Sequence, residues 1–426
     1  MRNIYYIILS LLLVAGCTVT RNVNVPISQF SSMYNPSEFS LSADYRLYHI
    51  NDDMTSMYIR LFPRELLFNQ ANEAAEYRAL VGITYIIYEL GEEREIVAKS
   101  DSTAFQIKLG RQHEQNTAYF TTRVLNIRSG KQYMIRIESK DLNRGSVGLE
   151  HIYIDKRNSF SAQNFSVVSA QTGYPRFLDY ISPNEVFKLD YRVEGYDTIF
   201  VDFIKFRNPY PRPPVTLNAP SFFEAAPDTT IALAWADSTI FTLPEKGMYH
   251  FRVDSTRPEG ITLHRFGPDF PQVQSEEALM ESLFYVATLT EYNNMRREEN
   301  KKLAVDNFWL ERAASMERSR ELIRVYYNRV VYSNLYFTTN REGWKTDRGM
   351  IFILFGPPDR IRSGGSEERW YYISNRQGKV IEFTFDRVPG QYSNHDLVWR
   401  KNGQSMGYVS SAVSAWRSGK VYSLSR

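Results

Sequence analysis

From residue 41 to about residue 262 apolar side chains recur at every second position, and near residue 273 that spacing gives way to the spacing of a helix. A period of two puts alternate side chains on opposite faces of an extended strand. One face can then be buried while the other meets water. Residues 45–50, 56–62, 77–90, 117–125, 132–138 and 150–154 all carry the pattern, with Val81, Ile83, Tyr85 and Ile87 sharing one face of the longest run. Turn residues such as Gly91 and Gly130 separate the runs. Seven or so short strands in about 115 residues predict an antiparallel sandwich of immunoglobulin-like architecture over 41–158.

A second series follows over 159–262, with strands expected at 165–169, 185–192, 198–206, 229–233, 239–243 and 248–254. It is read as a second sandwich, sharing no repeat with the first beyond the alternation. A Pro-rich stretch, 208–214, interrupts it. Proline has no N–H to give a ladder, so this is a loop or a polyproline II segment. It is either a rigid inter-strand connection, the reading adopted, or a docking strip with Tyr210 and Arg212 as handles. Beyond 263, helices are expected at 274–292, 303–310 and 313–337, the last with Leu322, Val325, Tyr326, Arg329 and Val330 on one side. Residues 296–324 hold eight Lys or Arg but also six Asp or Glu, which reads as a solvated helix face. An apolar run at 351–355 reads as a buried strand ended by Gly356-Pro357-Pro358-Asp359, and strands at 370–373, 380–385 and 397–400 complete a small antiparallel sheet under the helices. The fold class is thus mainly β: two sandwiches followed by an α+β domain over 263–426.

The N-terminus carries Arg2, an apolar run at 4–14, then Ala15, Gly16 and Cys17. The run is shorter than the roughly 18–20 residues needed to cross a bilayer, so it reads as the core of a signal peptide over 1–16. Val14-Ala15-Gly16-Cys17 resembles a bacterial lipobox, which implies cleavage before Cys17 and acylation there. Several acyl chains at roughly 0.8 kcal/mol per buried CH₂ hold a protein on a membrane durably. Thr18 stands where an Asp would resemble an inner-membrane retention signal, and no acidic cluster follows the Cys. By that resemblance the expected location is the outer membrane, facing the periplasm, with the cell surface as the alternative. Residues 17–40 read as the lipidated end and a polar tether, with a reach of very roughly 25–30 Å.

Cys17 is the only cysteine, so the chain forms no internal disulfide and no cysteine-rich zinc site. With 51 Lys plus Arg against 48 Asp plus Glu, the net charge is +3, without the concentrated basic excess of a nucleic-acid binder. The six histidines are scattered, and no HExxH, GxSxG, Walker or GxGxxG string occurs. No metal site, no cofactor and no nucleic-acid partner are expected.

The most distinctive string is Gly343-Trp344-Lys345-Thr346-Asp347-Arg348-Gly349, followed by Gly356-Pro357-Pro358-Asp359. Gly343 suits a residue just past a helix end, where φ is often positive. Thr346 and Asp347 can bond back to turn amides. The string resembles the signature of the GWxTD-domain proteins of Bacteroidota, as do Phe308-Trp309 and Tyr327-x-Arg329-Val330-x-Tyr332-Ser333-Asn334 upstream. That resemblance covers roughly 270–400 and brings no established reaction. The order of helices, Gly-x-Pro turn and the strands with Trp370 and Val380 is also similar to small lipoproteins that accompany outer-membrane protein assembly.

Four acids lie near the motif: Asp347, Asp359, Glu367 and Glu368. Two opposed carboxylates could cleave a glycosidic bond, with aromatic rings as sugar platforms. Asp347 beside Arg348 reads instead as an ionised structural pair, and Trp344 and Trp370 as core or interface anchors. The reading adopted is a non-catalytic envelope lipoprotein. It would be an accessory or scaffold subunit for outer-membrane protein assembly or secretion, making contacts around Trp344 and Arg348 or at exposed sandwich edges. A glycan-binding or glycan-cleaving lipoprotein using Asp347 and Asp359 is the alternative.

Overall fold

The computed structural model describes residues 34, 41, 43–70, 76–91, 95–109, 117–206, 211–216, 226–364, 366–374, 378–388, 390, 392–393 and 396–424. Cys17 and Tyr210 lie outside them. The first sandwich consists of β1 (Ala43–His49), β2 (Met54–Leu61), β3 (Tyr77–Leu90), β4 (Glu95–Leu109), β5 (Tyr119–Asn126), β6 (Gln132–Asp141) and β7 (Val147–Asp155). The sheets run β1-β2-β5 and β4-β3-β6-β7, antiparallel throughout. The alternation does what a period of two predicts. Val81, Ile83, Tyr85 and Ile87 are buried with Met57, Ile59, Ile135 and Ile137, while Leu80, next to Val81 on the opposite face, is 39% exposed. The strand that alternation missed is β4, whose middle, Lys99-Ser100-Asp101-Ser102-Thr103, is a polar run without alternation, and which pairs along β3.

The second sandwich has β8 (Phe165–Ser169), β9 (Phe187–Tyr191), β10 (Thr198–Ile204), β11 (Thr229–Ala234), β12 (Gly247–Arg252) and β13 (Ile261–Arg265). The sheets run β8-β9 and β11-β10-β12-β13. The expected strand at 239–243 is not one. It contributes a single bridge, Phe187 to Phe241, which occupies the position that β5 fills in the first sandwich. The two sandwiches therefore share one wiring, although their sequences show no repeat: alternation tolerates many residues, and wiring is set by which strands meet. Phe187, Phe241 and Phe251 pack ring against ring at the centre, with centroids 5.6–6.0 Å apart.

The C-terminal domain has α1 (Glu276–Ser282), α2 (Leu289–Arg297), α3 (Lys301–Leu310), α4 (Met316–Phe337) and α5 (Asp347–Phe355). Then come β14 (Arg360–Ser363), β15 (Glu367–Ser374), β16 (Lys379–Val388), β17 (Asp396–Trp399) and α6 (Gly403–Arg417). The sheet order is β14-β15-β16-β17. Two expectations fail here. The single helix over 274–292 is two helices, because Thr288 and Glu291 form a capping box that starts α2 afresh. The strand expected at 351–355 is the second half of α5. All nine of its residues are buried, so it carries no polar face, and a short run that is apolar all round has no period to read. The Ser- and Gly-rich α6 escaped the sequence reading too. It starts from a capping box of Asn402 and Ser405 and buries Val409, Ala412 and Trp416.

The three domains touch pairwise. Between the two sandwiches, Arg192 of the second pairs with Asp52 of the first, and Arg46 of the first pairs with Asp179 of the second. Tyr392 of the C-terminal domain packs with Ile204 and Met248 of the second sandwich. Tyr153 on β7 closes the circuit, donating to the Gly364 carbonyl at 2.6 Å under the Arg387 guanidinium. Among the described residues no helix is long and apolar enough to cross a membrane.

Candidate functional site

The signature string forms a tight turn between α4 and α5. Gly343 opens a 3₁₀ turn over Gly343–Lys345, and its φ is not positive, contrary to expectation. Its smallness answers a different need. A Cβ at Gly343 would stand 1.9 Å from the Ser333 carbonyl oxygen on α4, and one at Gly349 would stand 2.0 Å from the Gly343 carbonyl oxygen. Two glycines let three backbone segments stack where no side chain fits. The upstream residues complete the lock. Asn334 accepts from the Trp344 N–H and donates to the Pro271 carbonyl, and Thr338 accepts from the Gly343 N–H. Trp344 is buried against Tyr285, whose hydroxyl donates to the Trp344 carbonyl at 2.7 Å. Burial pushes that phenol well above its ordinary range.

Thr346 caps α5: its hydroxyl accepts from the Gly349 N–H at 3.0 Å and donates to the Gly343 carbonyl at 2.7 Å. Asp347 does not bond to a turn amide. Its Oδ2 accepts from the Trp399 N–H on β17 at 2.9 Å and from the Arg212 guanidinium at 2.7 Å. Arg212 comes from the Pro-rich stretch of the second sandwich. Lys401 ties that stretch down again by donating to the carbonyls of Pro213 and Thr216. The described residues 211–216 are thus an internal strut, and Arg212 is a handle for this chain itself. Burial raises the Asp347 carboxyl above the usual range, against the opposing pull of Arg212 and the Trp399 amide.

At the far end of α5, Gly356 takes φ +85°, the left-handed value that ends a helix. Arg329 of α4 donates to the carbonyls of Ile353 and Leu354, a cation on the negative end of the helix dipole. A Cβ on Gly356 would meet that guanidinium at 2.7 Å. Burial pulls the Arg329 pKa down to about 10. Pro358 is buried. Asp359 accepts from the Ile373 N–H at 2.7 Å and lengthens the β14-β15 ladder. Arg329 lay within the upstream string, but its role required knowing that 347–355 is a helix.

Arg348 points to the other side of α5. It lies 3.6 Å from Glu368, 3.5 Å from the Tyr34 hydroxyl and over the Phe337 ring. Glu368 also accepts from the Trp370 indole N–H at 2.7 Å. Trp370 is fully buried, between Tyr34, Phe337 and Phe385. The expectation that Trp344 and Arg348 present a contact surface fails, since both lie inside.

The acids of the glycosidase alternative are not brought together. Asp347 is anchored at Trp399, opposite Phe385 of β16, and Asp359 at Ile373, opposite Val380. Five residues along one strand is roughly 17 Å, well beyond the roughly 5–9.5 Å of a catalytic carboxylate pair. Glu367 is engaged at the surface by Arg369 and Arg400. Among the described residues no three His, Cys, Asp or Glu side chains converge as a metal-holding group.

A stacked Gly343 and Gly349, a capping Thr346 and an N1 Asp347 in one turn give each letter of the string a physical place. Residues 247–418 match the family model described as the GWxTD domain. The chain carries a GWxTD domain. The match begins at β12, so the last two strands of the second sandwich fall inside the family's span. No curated protein matches the sequence. The signature letters of the GWxTD domain are a packing code: they join α4 to α5, α5 to the sheet and the domain to the second sandwich.

Proposed function

We propose that this protein is a non-catalytic lipoprotein of the outer membrane. Cys17 carries the acyl anchor, and the folded body faces the periplasm as an accessory or scaffold subunit of a complex for outer-membrane protein assembly or secretion. The observation behind this reading is the use to which the motif's polar side chains are put. Thr346, Asp347 and Asp359 are each engaged by backbone amides, and Asp347 also by Arg212. Groups held this way brace the C-terminal domain internally and against the second sandwich, the mechanical property a scaffold needs. A partner's contact would then fall elsewhere, and β11 is suited to it. Among the described residues it is an edge strand of its sheet, all six of its residues are exposed, and it carries no charge. Such an edge can accept an added strand.

The test is affinity purification of the tagged, full-length chain after mild cross-linking in the native envelope. Reproducible recovery of the same envelope proteins, lost when Ile231 and Leu233 on β11 become lysine, is the expected result. Recovery of the chain alone, as a monomer, in repeated trials would refute the scaffold reading.

A further inference from the structure

Between residues 1 and 40 the one described residue is Tyr34, and it is placed far from its sequence neighbourhood. Its ring is 5% exposed and belongs to the core of the C-terminal domain. It packs on Phe337 at 4.8 Å edge to face, on Trp370 at 5.5 Å and on Tyr336 at 5.5 Å. Its hydroxyl lies 3.5 Å from Arg348, across 314 residues of sequence. The walls come from two elements and the motif: Tyr336 and Phe337 from the end of α4, Trp370 from β15, Arg348 from α5. Leu149 of β7 belongs to the same core. The chain reaches the first sandwich at Leu41, whose carbonyl lies against Gly148, the residue before Leu149. Tyr34 therefore sits where the first sandwich meets the C-terminal domain. The site has the features of a recognition pocket for one side chain, with aromatic faces for a ring and a cation for its oxygen.

We propose that the GWxTD domain is a receptor for this chain's own N-terminal segment, with Tyr34 as the ligand and Arg348, Phe337 and Trp370 as its socket. Tyr34 is then a clamp at the junction with β7, inside the stretch that its polarity marked as a tether. Arg348 thereby gains a role that neither the caps nor the interdomain pair supply. On the lipidation reading above, the clamp leaves 16 residues, 18–33, between Cys17 and Tyr34. Those residues span at most about 60 Å when fully extended. The clamp itself does not depend on acylation, so its failure and that of the lipoprotein reading are separable.

The experiment is hydrogen exchange on the full chain, comparing the natural sequence with Tyr34→Ala and Tyr34→Phe. Burying a ring of this size is worth roughly ten- to a hundredfold in an equilibrium. Amides of β15 and of the last turns of α4 are expected to exchange faster by that factor in Tyr34→Ala and to change much less in Tyr34→Phe, which keeps the ring. Adding a synthetic peptide of residues 27–41 to the Tyr34→Ala chain should restore slow exchange, while the same peptide with alanine at 34 should not. Unchanged exchange in Tyr34→Ala would overturn the proposal. Equal rescue by both peptides would also overturn it, because the socket would then not recognise tyrosine.

Discussion

The Asp347–Arg212 pair gives the sharpest test of how the GWxTD domain is held. The Asp347 side chain is 6% exposed and that of Arg212 is 19% exposed. Burial outweighs the guanidinium and the Trp399 amide, so the Asp347 carboxyl lies above its ordinary range. In linkage terms the charged form is less favourable in the fold than in water, and this carboxylate's contribution to stability falls as pH rises through its folded pKa. Asp347→Asn removes the charge and keeps an oxygen for the Trp399 N–H. Its cost is therefore small, within about 1 kcal/mol, since the charge itself is a net burden. Asp347→Ala strands the buried Trp399 donor, at about 1–3 kcal/mol. Arg212→Ala is the most damaging, at about 3–5 kcal/mol, because it leaves a buried carboxylate without its cation. Adding Asp347→Asn to Arg212→Ala should recover most of that loss. Urea unfolding followed by tryptophan fluorescence ranks the four variants, and exchange of the Trp399 amide localises the effect. If Asp347→Asn proves as harmful as Arg212→Ala, or the double variant no better than Arg212→Ala, the electrostatic reasoning is refuted.

Gly343→Ala and Gly349→Ala each drive a methyl into a backbone carbonyl, so each should cost about 3 kcal/mol or more; a thermal unfolding midpoint equal to that of the natural chain would contradict the stacked-backbone account. His49 and His250 are buried and held down at about 4 by that burial, against about 6.5 when unfolded. Their contribution is complete above about pH 6.5 and drains as pH falls toward 4, by roughly 3 kcal/mol each; His250→Gln should flatten the acid limb of a stability–pH profile. Glu150 has the opposite sign: burial raises it to about 7, so what it contributes is lost as pH rises through 7, and Glu150→Gln should remove that decline. Cys17→Ala should abolish incorporation of labelled palmitate, and labelling that persists would end the lipidation reading.

How much was legible beforehand follows from the range of each interaction. The strands β2, β3, β6 and β9 were visible because each carries its own alternation. The end of α5 at Gly356 was visible as a stop because glycine and two prolines act locally. The nature of α5 was not visible, because a run buried on every side shows neither period. The acids of the motif were visible as a group, but their grouping was one of sequence alone. Asp347 and Asp359 bond to different strands, β17 and β15, at positions five residues apart along the β16 that lies between them.

The sequence alone shows that this chain folds as two antiparallel β domains followed by a helix-and-sheet domain, and that turn chemistry falls at residues 343–347 with a hard stop at 356–359. Periodicity, capping and turn chemistry act over a few residues, and a sequence displays them directly. Only the tertiary structure decided what that turn is for. Asp347 meets Arg212 across 135 residues and Arg348 meets Tyr34 across 314. No local pattern encodes such a meeting. It is decided when sheets close on helices and bury a charge, which must then find its partner wherever the fold has brought one.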